Sequence, residues 1–352
     1  MKKKRIMIVG LTLGFGGAER VISILSKALK SKYENVELLL YFDKEICYEI
    51  DPDVKITIVE QHTHTENKLR NLFWMRNYIK KNADIVISFL APLNILVLVA
   101  TAGLKVEKIV ADRNDPRRKP SHLILRKLRN FLYCFADKIV VQTKGNYAYF
   151  SKVIQQKAKI IYNPTSVKKE EKGIALQTEK ENIVVSVGRI IEEKNPYMLL
   201  EAFIQFHKKF PEYKLIMYGE GNLRPVISKM AKEQGVAEFV ELPGTVKDII
   251  PKIAKAKMFV MTSNFEGMPN ALIEAMCIGL PCICTRVSGT RDLIKQGENG
   301  ILVKVGDVKA CCKAMETLAK NEKLASQLGR KATQLTENLS EENIVKQWIE
   351  LF

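Results

Sequence analysis

Two carboxylates and two cations in this chain have the types and spacing to hold a sugar bearing phosphates. Glu266 and Glu274 lie eight positions apart in SNFEGMPNALIEAM, residues 263–276, with a glycine, a proline and an asparagine between them. Glu266-Gly267-Met268-Pro269 reads as a loop, and Pro269, with its pre-set φ, suits the first turn of a helix through Ala271, Leu272, Ile273 and Ala275. One acid therefore sits before the helix and the other about a turn inside it. Glu266 can accept hydrogen bonds from sugar hydroxyls, and Glu274 can hold the two hydroxyls of a ribose, as an acidic residue does in dinucleotide folds. The amides of Gly267, Met268, Asn270, Ala271 and Leu272 would face the phosphates or sugar between them. Ordinary solvent-facing acids are the competing reading, so the pair gains meaning only beside cations.

VGRIIEEKNP supplies them, with Arg189 and Lys194 five apart after an apolar run. In a loop facing a cleft they suit a diphosphate, Arg as a planar fork and Lys as a point charge. Glu192 and Glu193 between them leave a balanced surface pair as the alternative. YGEGNLRP places Gly219, Gly221 and Arg224 after the next apolar run, a further phosphate-side loop. Near the N-terminus, GLTLGFGGAER sets Gly14, Gly16 and Gly17 before a helix beginning near Ala18, where backbone N–H groups can approach a phosphate. The G-x-G-x-x-G fingerprint is not matched, because Glu19 stands at the third glycine, and a tight turn without a ligand fits this stretch equally.

These groups need elements to position them. Short apolar runs recur between helix-length amphipathic stretches, at 6–9, 36–42, 56–59, 85–89, 108–111, 138–142 and 159–163. That alternation is the pattern of a parallel doubly wound sheet. Residues 166–182 are charged and poor in large apolar residues and read as a linker. The alternation restarts at 183–188, 214–219, 239–242, 258–263, 281–285 and 301–305. Two Rossmann-like α/β domains, 1–165 and 183–338, are predicted, with a ligand between them at the carboxyl ends of the strands. Residues 339–352 read as a closing helix that packs back on the first domain, with Ser340 as N-cap and Ile344, Val345, Trp348 and Leu351 on one face.

The chain has 352 residues, 47% of them hydrophobic, enough for two cores. Residues 1–165 carry 29 Lys and Arg against 15 Asp and Glu, a balance of +14, while the rest carries only +3 of the net +17. A basic N-terminal half implies an anionic partner, nucleic acid or an acidic membrane face, with solubility as the bland alternative. The seven cysteines are odd in number and lack zinc-site spacing, so they read as free thiols in a reducing compartment. MKKKRIMIVG is a first strand rather than a signal peptide. The apolar stretch 85–104 is interrupted by Pro92 and Asn94 and reads as a buried strand and helix rather than a membrane span.

GGAER early, VGR with EKN at the start of the second half, and EGMPNALIE with its E-x7-E resemble the retaining GT-B glycosyltransferases of the family 4 type, over essentially the full length. The resemblance implies a GT-B fold and a nucleotide-sugar donor, UDP-linked, held by the C-terminal domain. Arg189 and Lys194 would neutralise the diphosphate leaving group, Glu274 would bind the ribose and Glu266 would position the donor sugar. Gly16 and Gly17 would close over the phosphates from the other domain. The implied reaction is front-face displacement with retention and without a metal or other cofactor. DPD at 51–53 matches the metal-binding D-x-D of the other major glycosyltransferase fold only superficially, in a chain lacking that fold's pattern. Where many relatives carry a histidine near the fifth N-terminal strand, VADRNDP has Arg113 and Asn114, and Arg113 is the candidate substitute at the donor. His122 lies too far along to take that role, and His62 and His64 flank a polar loop as solvated residues.

DPRRKPSHLILRKLRNFLYCF indicates the acceptor side. Leu123, Leu125, Leu128, Phe131, Leu132 and Phe135 alternate with Arg126, Lys127 and Arg129, after Arg117, Arg118 and Lys119. Such a helix suits an anionic membrane surface or a lipid-linked diphosphate, and 67–81 repeats the chemistry. A core helix with a basic outer face is the alternative. No nucleic-acid-reading motif accompanies the charge. The reading is a peripheral enzyme on the cytoplasmic face that moves an N-acetylhexosamine or hexose to a lipid-linked saccharide in cell-surface polysaccharide assembly. A nucleotide-sugar 2-epimerase of the same fold would need histidines in the cleft, and only four occur in the chain. A non-catalytic basic lipid- or nucleic-acid-binding module is the third reading, and it would make Arg189 and Lys194 dispensable.

Overall fold

The apolar runs pair as two all-parallel sheets in a computed structural model that describes residues 2–352 apart from Phe15, His64, Glu66 and Glu337. Strands β1 (Lys2–Gly10), β2 (Tyr33–Leu40), β3 (Lys55–Ile58), β4 (Ile85–Phe89), β5 (Glu107–Asp112), β6 (Lys138–Val141) and β7 (Ala158–Ile160) form the first, in the order β3-β2-β1-β4-β5-β6-β7. Strands β8 (Glu181–Val187), β9 (Lys214–Tyr218), β10 (Val240–Gly244), β11 (Ala256–Met261), β12 (Cys282–Thr285) and β13 (Ile301–Val303) form the second, in the order β10-β9-β8-β11-β12-β13. Helices cover both faces of such sheets, so β4 and β12 are buried at every position. In each sheet the winding reverses beside the first strand, between β1 and β4 and between β8 and β11. Strand carboxyl ends diverge there and open a crevice.

The chain divides into two compact units, Met1–Pro164 with Glu341–Phe352, and Thr165–Ser340. The expected linker, 166–182, is built into the second unit. Gly173 and Ala175 donate backbone N–H groups to the carbonyls of Cys277 and Ile278, at 3.0 and 2.9 Å, and Ala175 is fully buried. Polarity misled here because backbone hydrogen bonds to a helix end, with a few apolar side chains such as Val167 and Leu176, are enough to hold the segment. The helix Glu341–Ile349 belongs to the first unit, where Ile344, Trp348 and Leu351 join a core with Ile6, Ile22 and Leu25.

The stretch 85–104 forms β4 and the helix Ala91–Ala100, and among the described residues no helix is long and apolar enough to cross a membrane. Five of the seven cysteines are buried, while Cys47 and Cys134 are only half-buried, and all seven are free thiols. Burial pushes the Cys277 thiol up to about 11, so it stays protonated at neutral pH.

Candidate functional site

In the second unit, the neighbouring strands β8 and β11 bring two loops together at the reversal point. Thr262 Oγ1 donates to the Asn195 carbonyl at 2.9 Å, Asn264 N donates to the Glu193 carbonyl at 2.9 Å, and Asn195 Nδ2 donates to Asn264 Oδ1 at 3.0 Å. Asn195 sits at φ 47°, in the left-handed region, and its side chain caps the helix Pro196–His207 by accepting from Met198 N at 3.2 Å. These ties place Lys194 Nζ 2.5 Å from Glu266 Oε1, with the Lys194 side chain 28% and the Glu266 side chain 10% exposed. Ser263 Oγ donates to the same oxygen at 2.6 Å. Arg189 is 71% exposed on the adjoining turn, its guanidinium 3.8 Å from Glu193. Three of the four predicted charged groups, Arg189, Lys194 and Glu266, therefore lie at the carboxyl ends of the neighbouring strands β8 and β11.

Glu274 lies on the helix Asn270–Cys277, which starts one residue later than expected, with Pro269 as its N-cap. Ile273 N makes the first intrahelical bond, to the Pro269 carbonyl at 3.1 Å, so Asn270, Ala271 and Leu272 occupy the turn whose N–H groups point out of the helix mouth. The side chains of Met268 and Leu272 are buried, which leaves only their backbone to meet a ligand. A Cβ at Gly289 would fall 2.2 Å from the Gly267 carbonyl oxygen, so a glycine is required for the next helix to close beneath this loop. Ser166 Oγ donates to Glu274 Oε1 at 2.5 Å, reaching over from the segment read as a linker. The loop of Gly219 and Arg224 packs against the turn that carries Arg189. A Cβ at Gly219, which has φ 133°, would lie 2.1 Å from the Gly188 carbonyl oxygen, and Arg224 is tied to the Leu242 carbonyl at 2.6 Å.

The first unit holds the remaining candidates. Gly16 caps the helix Gly17–Lys30 with extended backbone, and Tyr48 donates its hydroxyl to the Gly16 carbonyl at 3.0 Å. Glu19, beneath Gly16, has its carboxyl pushed up by burial. Arg113 follows β5 and is 6% exposed, with its guanidinium carbon 5.8 Å above the Phe89 ring and one nitrogen bonded to Asn163 Oδ1. Its Nε and Nη1 find no partner among the described residues, and burial pulls the guanidinium down to about 9, against the attraction of Asp112. It is charged at neutral pH in a place where an anion or a hydroxyl would satisfy it.

The helix Leu123–Tyr133 corrects the reading of its basic side. Arg129 faces inward and is fully buried, 3.6 Å from Asp112, donating to the carbonyls of Lys119 at 2.7 Å and Pro116 at 3.1 Å. Its guanidinium covers the rings of Tyr149 and Phe150 at 5.4 and 5.2 Å. Arg126 bonds the Arg117 carbonyl and is half-buried. The face turned outward is apolar instead: Leu123, Ile124, Phe131 and Phe135 are each more than half exposed, beside exposed Lys127. In the helix Lys68–Asn82, Leu69 and Phe73 are exposed likewise, while Met75 and Ile79 are buried. His62 stacks on Trp74 with ring centroids 5.1 Å apart, and His64 lies outside the described residues.

Residue reasoning passed over Ser166, Asn195 and Ser263. Ser263 had a visible signal, since Ser-x-x-Glu is the spacing at which a hydroxyl and a carboxylate reach each other across a turn. Ser166 had none, because its contact spans 108 positions.

The profile of the family described as "Glycosyl transferases group 1" matches residues 167–335. Over 99% of its length the chain is 30% identical to the Campylobacter jejuni protein named GalNAc-alpha-(1->4)-GalNAc-alpha-(1->3)-diNAcBac-PP-undecaprenol alpha-1,4-N-acetyl-D-galactosaminyltransferase, 98% of which is covered. A second protein from that organism, named N-acetylgalactosamine-N,N'-diacetylbacillosaminyl-diphospho-undecaprenol 4-alpha-N-acetylgalactosaminyltransferase, is 31% identical over 94% of each chain. The solved structure of Anabaena HepE in complex with UDP and glucose superposes with a TM-score of 0.83 at 15% identity, covering 99% of both chains, which establishes a shared fold.

Proposed function

The chain belongs to the group 1 glycosyl transferases and has the GT-B fold, and from that premise we propose that this glycosyltransferase moves an N-acetylhexosamine or hexose from a UDP-sugar to a lipid-linked saccharide with retention. The observation that carries the reading is the meeting of Lys194 with Glu266 at 2.5 Å beside Arg189, at the reversal point of the second sheet. Cations and a sugar-directed acid then share one loop pair, with Glu274 on the adjoining helix. Arg189 and Lys194 stabilise the departing diphosphate, the work a metal ion does in other phosphate chemistry. The bond from the anomeric carbon to the diphosphate oxygen breaks while the bond to the acceptor oxygen forms on the same face. The acceptor's proton passes to the leaving phosphate oxygen, so the site needs no separate base. Gly267, Met268, Asn270, Ala271 and Leu272 supply backbone donors to the phosphates or sugar, and Glu274 takes the ribose.

The names of both Campylobacter relatives specify undecaprenol-linked saccharides, which supports a lipid-linked acceptor here. They are transferases, which favours transfer over epimerisation or a purely binding role. The proposed place of work is the cytoplasmic face of a membrane, reached through 117–135 and 67–81. The exposed Leu123, Ile124, Phe131 and Phe135, with exposed Lys127 on the same helix, suit insertion at an anionic surface. Phe131→Ser with Phe135→Ser is expected to reduce sedimentation with anionic vesicles markedly, whereas Lys127→Gln has a smaller, salt-sensitive effect. Unchanged sedimentation of the double variant would remove the membrane role of this helix.

The donor is tested by melting the protein against UDP, GDP, ADP and NAD and their sugar conjugates. A nucleotide at about 100 times its Kd stabilises the native state by about 2.7 kcal/mol. UDP alone is expected to raise the Tm, and the rise is expected to vanish in Glu274→Ala. Stabilisation by another nucleotide would reassign the donor, and an undiminished rise in the variant would remove Glu274 from the ribose.

A further inference from the structure

How the Glu266 carboxylate is held decides which of its oxygens a sugar can reach. Both hydrogen bonds that it accepts among the described residues land on Oε1, from Lys194 Nζ at 2.5 Å and from Ser263 Oγ at 2.6 Å. Behind Ser263 stands a file of hydroxyls, each donating to the carbonyl in front. Thr285 Oγ1 donates to the Ser263 carbonyl at 2.6 Å, and Thr290 Oγ1 donates to the Thr285 carbonyl at 2.6 Å. Ser263, Thr285 and Thr290 have no solvent exposure. Thr285 ends β12, the neighbour of β11, so the backbone of Ser263 is pinned by an adjacent strand.

The two partners of Oε1 differ in kind. Lys194 reaches in from the other loop on a flexible stem, is 28% exposed, and is the cation assigned to the diphosphate. An ammonium drawn to an arriving diphosphate is an unreliable tether for a carboxylate. Ser263 has one short, buried side chain in a pinned backbone, and its hydroxyl has little freedom to leave. We propose that Ser263 is the positioning residue of the donor site: it holds Glu266 by Oε1 and presents Oε2 to a hydroxyl of the donor sugar, wherever Lys194 goes. This inference rests on the reading of the second unit as a nucleotide-sugar site.

The function of the Ser263 hydroxyl separates from UDP binding, because Glu266 touches the transferred sugar, which free UDP lacks. The test compares wild type, Ser263→Ala and Ser263→Cys for UDP affinity, Tm and the kcat and KM of UDP-sugar turnover, across UDP-hexoses and UDP-N-acetylhexosamines. Losing a hydrogen bond to a charged group costs about tenfold, so Ser263→Ala is expected to lower kcat about tenfold at unchanged UDP affinity. Ser263→Cys, of similar volume but with a weaker donor, is expected to fall between the two, and it carries the test if the alanine variant fails to fold. Wild-type kcat in either variant overturns the proposal, as does a UDP affinity that falls in step with kcat, which would mark a structural role. Those results leave the donor assignment standing. A wild-type protein that neither binds UDP nor turns over any UDP-sugar overturns the donor reading itself, and this proposal with it.

Discussion

Lys194→Gln is expected to lower sugar transfer by a factor on the order of 10² to 10³, the cost of removing one preorganised stabiliser of a developing negative charge. The fold is expected to survive, because Glu266 keeps its hydrogen bond from Ser263 when the ammonium is lost. Arg189→Gln should act in the same direction with no change in Tm, since that side chain is 71% exposed and its described ion pair is a loose one, at 3.8 Å. The check is initial-rate kinetics on both variants beside their melting curves. Full activity in both would dissolve the diphosphate assignment, and an unfolded Lys194→Gln protein would assign the pair to stability instead.

Arg129→Gln is expected to have the largest effect on stability, a loss of about 3–5 kcal/mol, because it leaves Asp112 buried without its counter-charge. At roughly 2–4 °C per kcal/mol for a unit of this size, the first unit should melt about 10 °C lower. The effect carries a pH signature. Burial pushes the Asp112 carboxyl up to about 6, because desolvation outweighs the attraction of Arg129 and the hydrogen bonds to Tyr133 and the Asn114 amide. An acid raised in the folded state contributes stability below its unfolded value, near 4, and loses that contribution as the pH rises through 6. Without Arg129 the ionised form is costlier still, so the deficit of the variant should be greatest at pH 7 to 8 and shrink toward pH 5. Thermal melts at both ends of that range decide the matter, and a deficit independent of pH would mean that packing over Tyr149 and Phe150, rather than charge, is what Arg129 supplies.

Both expectations turn on contacts that linear reading treats unequally. That Arg189, Lys194 and Glu266 lie near one another was legible because each follows an apolar run, and neighbouring strands of a doubly wound sheet end together. The alternation of runs likewise revealed the strands, including the buried β4 at the start of the long apolar stretch 85–104. Arg129 was misread because helical spacing assigns faces without saying which face the rest of the chain covers. It lies among basic neighbours in sequence, yet Asp112 and the rings of Tyr149 and Phe150 close over it. Leucine and phenylalanine on the same helix face outward for the same reason.

Two parallel α/β units, and the charged groups gathered at a strand end of the second, are readable from contiguous residues alone. Local propensity, strand-length apolar runs and short motifs are properties of contiguous residues, and they survive without knowledge of the fold. The folded chain alone shows that 166–182 joins the second unit, that Ser166 meets Glu274, that Ser263 and Lys194 share one oxygen of Glu266, and which side of the helix Leu123–Tyr133 meets solvent. Those outcomes depend on pairings across tens to more than a hundred residues, and such pairings leave no periodic trace in the residues that make them.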